Sequence, residues 1–264
     1  MKLAAVGSNC IDHYIGKTGK TVYPGGGPVN IAVYTAEMGG IASYTGAVGN
    51  DEYGRLMIEE MNRAGIDTAH VRILEGKTAR TEVTLVNGER ILGEYDEGIL
   101  RDYRLTRGDL DFIASHDLVV SDYWGKAEGY FGEFRRRGLR TAFDCADRTD
   151  SANVQTVLPY TDYLFFSTND PDETTLKNKM EDLCRRGPKV IIATRGSRGS
   201  LSYDGTAFRS CGIVPCADIA DTLGAGDSYI AGFLYGIMRG RSIEDCMSLG
   251  AEKASGTLTH FGAW

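Results

Sequence analysis

No C-x-x-C pair occurs among the six cysteines (Cys10, Cys145, Cys184, Cys211, Cys216 and Cys246). Their scatter argues for reduced thiols rather than a disulfide framework or a zinc site. The four histidines, at 13, 70, 116 and 260, lack the spacing of metal ligands. No apolar run approaches the length of a membrane span, and the apolar start, Met1 to Gly7, is too short for a signal peptide. Positive charge is in deficit: 29 Lys and Arg stand against 36 Asp and Glu, a net charge of −7. That balance excludes nucleic acid and anionic membrane as main partners, since both require basic patches. Linkers, repeats and low-complexity tracts are absent as well. A cytoplasmic enzyme acting on small molecules is the class left standing.

Glycine, by contrast, is plentiful, at 34 of 264 residues, and three glycine-bearing stretches carry the chemistry. The most informative is Asp221-Thr222-Leu223-Gly224-Ala225-Gly226-Asp227, followed by an apolar run with helical spacing from Ser228 to Met238. Small residues at a helix start leave backbone N–H groups uncovered, and the helix dipole adds to them, so an anion can be held there. Asp227 in the first turn places a carboxylate beside that anion. This suits a hydroxyl that must lose its proton while attacking a phosphoryl group. The same string also reads as an ordinary helix cap. The second stretch, Pro24-Gly25-Gly26-Gly27-Pro28-Val29-Asn30, leads into an apolar helix, with Asn30 at the mouth of a site. Its contiguous glycines make neither a P-loop nor a dinucleotide fingerprint. The third, Arg195-Gly196-Ser197-Arg198-Gly199-Ser200, follows an apolar strand that ends at Thr194.

Strand and helix patterns alternate along the rest of the chain, which implies a parallel sheet with helices on both faces. Residues 2 to 7 read as a buried strand, and Asp12 beyond it is a candidate hydroxyl-binding group or a turn former. One region breaks the alternation. Thr81 to Val86, Asn87-Gly88 and Glu89 to Tyr95 have the signature of a hairpin with a type I′ turn. With the Tyr14 to Tyr23 region it can form a small sheet covering a site, so lid insertions are expected at about 13–23 and 71–97. One domain over 1–264 accounts for the whole pattern.

Taken in order, Gly25 to Asn30, Thr194 to Gly199 and Asp221 to Asp227 resemble the ribokinase (PfkB) family of carbohydrate kinases over essentially the full length. The resemblance implies a ribokinase-like, doubly wound α/β fold and ATP-dependent transfer to a primary hydroxyl of a sugar or sugar derivative. By similarity, Asp227 is the base, and Gly224, Ala225 and Gly226 supply the anion hole. Thr194, Gly196 and Gly199 border ATP. Asp221 belongs to the ATP side or to a monovalent-cation site such as one for K+. Asp12, Gly26 and Asn30 hold sugar hydroxyls. Magnesium bridges the phosphates, and a homodimer formed through the lid is expected.

The family's usual Asn-x-x-Glu near magnesium is here Asp170-Pro171-Asp172-Glu173. Glu173 is therefore the metal-side candidate, and Asp170 reads equally as a helix start. Four further stretches (Gly25 to Tyr34, Gly93 to Gly98, Trp124 to Glu128, His260 to Trp264) carry a resemblance whose implied acceptor is a sugar amine, the 6-hydroxyl of a fructosamine such as fructoselysine. Glu97, in the acidic run Glu94-Tyr95-Asp96-Glu97, would then face the ammonium, or be part of a solvated acidic edge. Trp124 would wall the pocket or simply pack. Other acceptors (a plain ketose, a keto-sugar acid, a nucleoside) and a catalytically silent nucleotide–sugar sensor remain as alternatives.

Overall fold

The computed structural model describes residues 2–16, 19–86 and 89–264. In chain order the elements are β1 (Lys2–Val6), β2 (Cys10–Gly16), β3 (Gly19–Gly25), α1 (Gly27–Glu37), β4 (Ile41–Gly49), α2 (Glu52–Arg63), β5 (Asp67–Leu74), β6 (Arg80–Val86), β7 (Glu89–Asp96), α3 (Arg107–Ile113), β8 (Leu118–Asp122), α4 (Phe131–Arg136), β9 (Arg140–Asp144), α5 (Ala152–Val157), β10 (Tyr163–Ser167), α6 (Glu173–Arg185), β11 (Val190–Thr194), β12 (Ser200–Tyr203), β13 (Phe208–Cys211), α7 (Ala225–Met238) and α8 (Ile243–Thr257). Nine strands form the main sheet in the order β13-β12-β11-β10-β9-β8-β1-β4-β5. Seven of them, from β5 to β11, run parallel, while β12 and β13 add an antiparallel edge, so the sheet is mixed at one side rather than parallel throughout.

Alternation within single strands explains the two helical layers. Leu3 and Ala5 of β1, Leu118 and Val120 of β8, and Val190 and Ile192 of β11 pack in one cluster with α1, α2, α7 and α8. Their neighbours Ala4, Val6, Val119, Ile191 and Ala193 pack in a second cluster with α3, α4, α5 and α6. Side chains two apart on a strand share a face, so a continuous apolar run buries both faces of a parallel sheet. The strand order turns back at β1, with β4 on one side and β8 on the other. Ligands of open α/β sheets collect at the carboxyl ends of the strands beside such a reversal.

A second sheet, β3-β2-β6-β7, lies at that end. It is the expected lid, with different bounds: its strands cover Cys10–Gly25 less the undescribed residues 17 and 18, and Arg80–Asp96 less Asn87 and Gly88. Residues 67–74, part of them assigned to the lid from sequence, instead form β5 at the edge of the main sheet, parallel to β4. Their alternating half-exposed pattern reads like a lid hairpin because an edge strand is covered on one side only. β6 and β7 are antiparallel with Val86 opposite Glu89, and the Asn87-Gly88 turn itself lies outside the described residues.

Candidate active site

Helix α7 begins at Gly224, whose φ of 78° is left-handed, and a side chain there would meet the backbone oxygen of Ala263 at 2.6 Å. Glycine is required by both conformation and space. The first N–H groups of a helix have no acceptor within it, and nothing lies within 4 Å of where a Cβ on Gly226 would stand. The start of α7 is therefore open to an anion. Asp227 sits in this first turn. Its Oδ2 accepts a hydrogen bond from Asn30 Nδ2 at 2.7 Å, and Asn30 Oδ1 in turn accepts from the indole Nε1–H of Trp264 at 2.8 Å. The indole can only donate. It therefore fixes which end of the Asn30 amide faces the carboxylate.

The Gly25-Gly26-Gly27 turn brings the remaining acceptor-side groups together. A Cβ on Gly25 would stand 2.5 Å from Asp12 Oδ2, one on Gly26 2.5 Å from the Asn9 backbone, and one on Gly27 2.9 Å from Asp122 Oδ2 and 3.4 Å from Asp227 Oδ1. Glycine is thus what lets carboxylates from the lid strand β2, from β8 and from α7 close around the start of α1. Asp12 and Asn30 are buried, at 4% and 3% exposure. The predicted residues Asp12, Gly26, Asn30 and Asp227 all belong to this one locality.

Two carboxylates of this locality were not singled out from sequence, Asp122 and Asp144. They close β8 and β9 and are register partners, both on the face that packs against α1 and α7. Asp122 accepts from the Ser8 hydroxyl at 2.7 Å. Burial, first of all, pushes its carboxyl up to about 8; Ser8 opposes this, and Asp144 and Asp227 add to it. Burial and then Asp227 likewise raise Asp144 to about 7, against the Ala146 N–H that it accepts at 3.0 Å. The signal that could have found them is an aspartate ending each of two otherwise apolar strands, Leu-Val-Val-Ser-Asp and Thr-Ala-Phe-Asp.

The residues expected to border the nucleotide lie across the same sheet edge. Thr194 ends β11 beside Ser167 of β10. Gly196 has open space around it, whereas Gly199, at φ 75°, packs on the backbone oxygen of Cys211. Glu173 starts α6 and pairs with Lys177 at 2.7 Å and Arg195 at 3.4 Å. The cap of that helix is Asp172, which accepts from Thr174, and not Asp170. Asp170 instead accepts the N–H of Asp172, two residues too early to start the helix after Pro171. A cavity of about 400 Å³ opens between the turns after β9 (Ala146, Asp147, Thr149) and β10 (Ser167, Thr168, Asn169), with Lys179 on its wall. None of the predicted site residues lines it.

Three predicted residues stand in other settings. Asp221 is buried and accepts from the Tyr14 hydroxyl of the lid, from Leu223 N at 3.0 Å and from Gly262 N at 3.3 Å. It ties lid, motif and the 257–264 segment together. Glu97 already has cations, Lys126 at 2.7 Å and Arg101 at 4.0 Å, which counts against its serving as an unpaired counter-charge. Trp124, 41% exposed, stands edge-on to Tyr123, two residues beyond Asp122. Among the described residues no three His, Cys, Asp or Glu side chains converge to hold a metal ion.

Known proteins resemble this chain over nearly its whole length. The sequence pattern of the pfkB family carbohydrate kinases matches residues 17–264. The chain is 37% identical to Fructoselysine 6-kinase of Escherichia coli (strain K12) over 262 residues, covering 99% of each chain. It is 33% identical to Fructosamine kinase FrlD of Bacillus subtilis (strain 168), covering 100% of this chain and 93% of that one. Among solved structures, the ribokinase of Arabidopsis thaliana complexed with ribose and ATP superposes with a TM-score of 0.91 at 21% identity, over 99% of this chain and 94% of the other.

Proposed function

Because the chain belongs to the pfkB family of carbohydrate kinases, we propose that it transfers the γ-phosphoryl group of ATP to the 6-hydroxyl of a fructosamine, with fructoselysine as its acceptor. One observation carries the chemistry: Asp227 stands at the open start of α7 with one carboxylate oxygen held by Asn30 and the other turned toward the bare backbone of Gly27. The acceptor hydroxyl gives its proton to Asp227 as its oxygen bonds to the γ-phosphorus, and the bond from phosphorus to the bridging oxygen of ADP breaks. Negative charge on the transferring group meets the N–H groups at Gly224, Ala225 and Gly226. Asp12, Gly26 and Asn30 hold the sugar, and Thr194, Gly196 and Gly199 border the nucleotide.

Magnesium, when bound, neutralises phosphate charge. Glu173, at the start of α6, is the carboxylate that would stand on the metal side, with the metal serving as the nucleotide's counter-ion. A K+ requirement near Asp221 rests on family likeness alone. Dimerisation through the lid is supported by strands β3 and β7, which end the small sheet with no further strand beside them among the described residues. Among those residues no helix is long and apolar enough to cross a membrane, and a cytoplasmic location belongs to the same proposal.

The test is a coupled ADP-release assay with fructoselysine, other fructosamines, fructose, ribose and nucleosides. Fructoselysine is expected to give the highest kcat/KM. A clear preference for a nucleoside or for unmodified fructose would overturn the acceptor assignment.

A further inference from the structure

We propose that Asp122 is the residue that reads the charge of the acceptor: its carboxylate receives the secondary ammonium of a ketose amine whose 6-hydroxyl lies at Asp227. The inference rests on the fructosamine reading above and names the group that makes an amine preferable to a plain ketose.

Three observations support it. Asp122 is 3% exposed, and its Oδ1 has no hydrogen-bond partner among the described residues. Both of its oxygens lie against glycine, Oδ2 at Gly27 and Oδ1 3.0 Å from where a Cβ on Gly125 would stand, so no side chain of those two residues covers them. The position above Gly27 that is 2.9 Å from Asp122 Oδ2 is 3.4 Å from Asp227 Oδ1, so both carboxylates face one small volume at the start of α1. Two polar groups of one small acceptor can therefore meet the two carboxylates.

The charge balance points the same way. Among the described residues, Asp144 on β9, Asp227 on α7, Cys10 on β2, Tyr44 on β4 and Tyr95 on β7 are coupled to Asp122, and each of these is an acid. Lys126, four residues away in sequence, is paired with Glu97. A buried carboxyl with no cation tends to stay protonated, and an arriving ammonium reverses this. Acceptor binding at neutral pH then releases a proton from Asp122. The ammonium stays charged because it gains a carboxylate partner in a dry site.

The experiment compares fructoselysine with a 1-O-alkyl fructose of similar length, which lacks the charge, in the wild-type enzyme and in Asp122→Asn. Wild-type enzyme is expected to prefer the amine by at least about tenfold in kcat/KM, and the variant's ratio to fall to within about twofold of unity. An unchanged ratio in a variant that melts cooperatively and binds ATP overturns the proposal. Calorimetry on the wild-type enzyme, in two buffers of different ionisation enthalpy, decides the matter even if the variant does not fold. Proton release on binding the amine but not the ether supports Asp122, and equal proton exchange for both removes it. If wild-type enzyme phosphorylates neither compound, the fructosamine reading itself has failed.

Discussion

The acceptor side and the nucleotide side of the sheet edge treat charge in opposite ways. Around Gly25 to Gly27 the carboxylates of Asp12 and Asp122 are buried, and Asp122 and Asp144 both have acids close enough to raise their pKa values. Across the edge, Glu173 is half exposed and paired with Lys177 and Arg195, Asp147 with Arg148, and Lys179 with Asp150. Exposed pairs are screened by water and are worth little singly. A buried carboxylate carries a desolvation cost that a ligand can offset by completing its electrostatics. In the proposed reaction the contrast separates an acceptor side, with its chemistry and selectivity, from a side where a charged, solvated co-substrate docks.

The sharpest way to break that contrast is Asp227→Asn, expected to lower kcat by about two to four orders of magnitude, the range of a lost general base. ATP binding, measured by calorimetry, should persist. Near-wild-type turnover would take Asp227 out of the role. Trp264→Phe keeps the ring but removes the donor that orients Asn30. One lost hydrogen bond of about 1 kcal/mol corresponds to roughly a fivefold fall in kcat. The KM for ATP should stay put, since the change lies on the acceptor side; a shift in that KM instead would show that the residue supports the fold generally.

Stability against pH tests the buried acids directly. The folded-state pKa values of Asp122 and Asp144, about 8 and about 7, lie above the ordinary carboxylate value. The fold therefore favours their protonated forms. The stability this contributes is fully present below about pH 4 and is lost as pH rises through about 7 and 8. An amide cannot ionise, so Asp122→Asn should melt higher than wild type at pH 8 to 9, and its advantage should vanish toward pH 4. A gap independent of pH would mean that Asp122 is already ionised and matched in the free enzyme. Glu173→Gln is the smallest expected effect, a fall in kcat of no more than about fivefold at saturating magnesium, because an exposed and already paired carboxylate has water as a substitute.

Much of the architecture is legible from the residues. The three glycine stretches, the hairpin pattern and the alternation of strands and helices locate the fold and bring Asp12, Gly26, Asn30 and Asp227 to one place. What is illegible has physical causes. β5 reads like lid because an edge strand is half exposed wherever it lies. Asp122 and Asp144 pass unnoticed because one aspartate after an apolar strand looks like a turn, and only the register of β8 and β9 sets the two side by side. Glu97 reads as an available charge because sequence spacing does not reveal that Lys126, in the turn after β8, reaches it. The bond from Trp264 to Asn30 is invisible for the same reason, its partners being 234 positions apart.

That separation has a consequence for how the enzyme comes into being. Asn30 with Trp264, Tyr34 with Ala263, Tyr14 with Asp221 and Asn30 with Asp227 join the first 34 residues to the last 44. Contacts so distant in sequence form only after the largest loop-closure entropy has been overcome, and they slow folding accordingly. During synthesis, Asn30 leaves the ribosome long before Trp264 is made. The early strands and α1 must wait, with an apolar face exposed, for α7 and α8 to cover them. A site that needs both Asn30 and Trp264 cannot assemble before α7, α8 and the residues after them have been made.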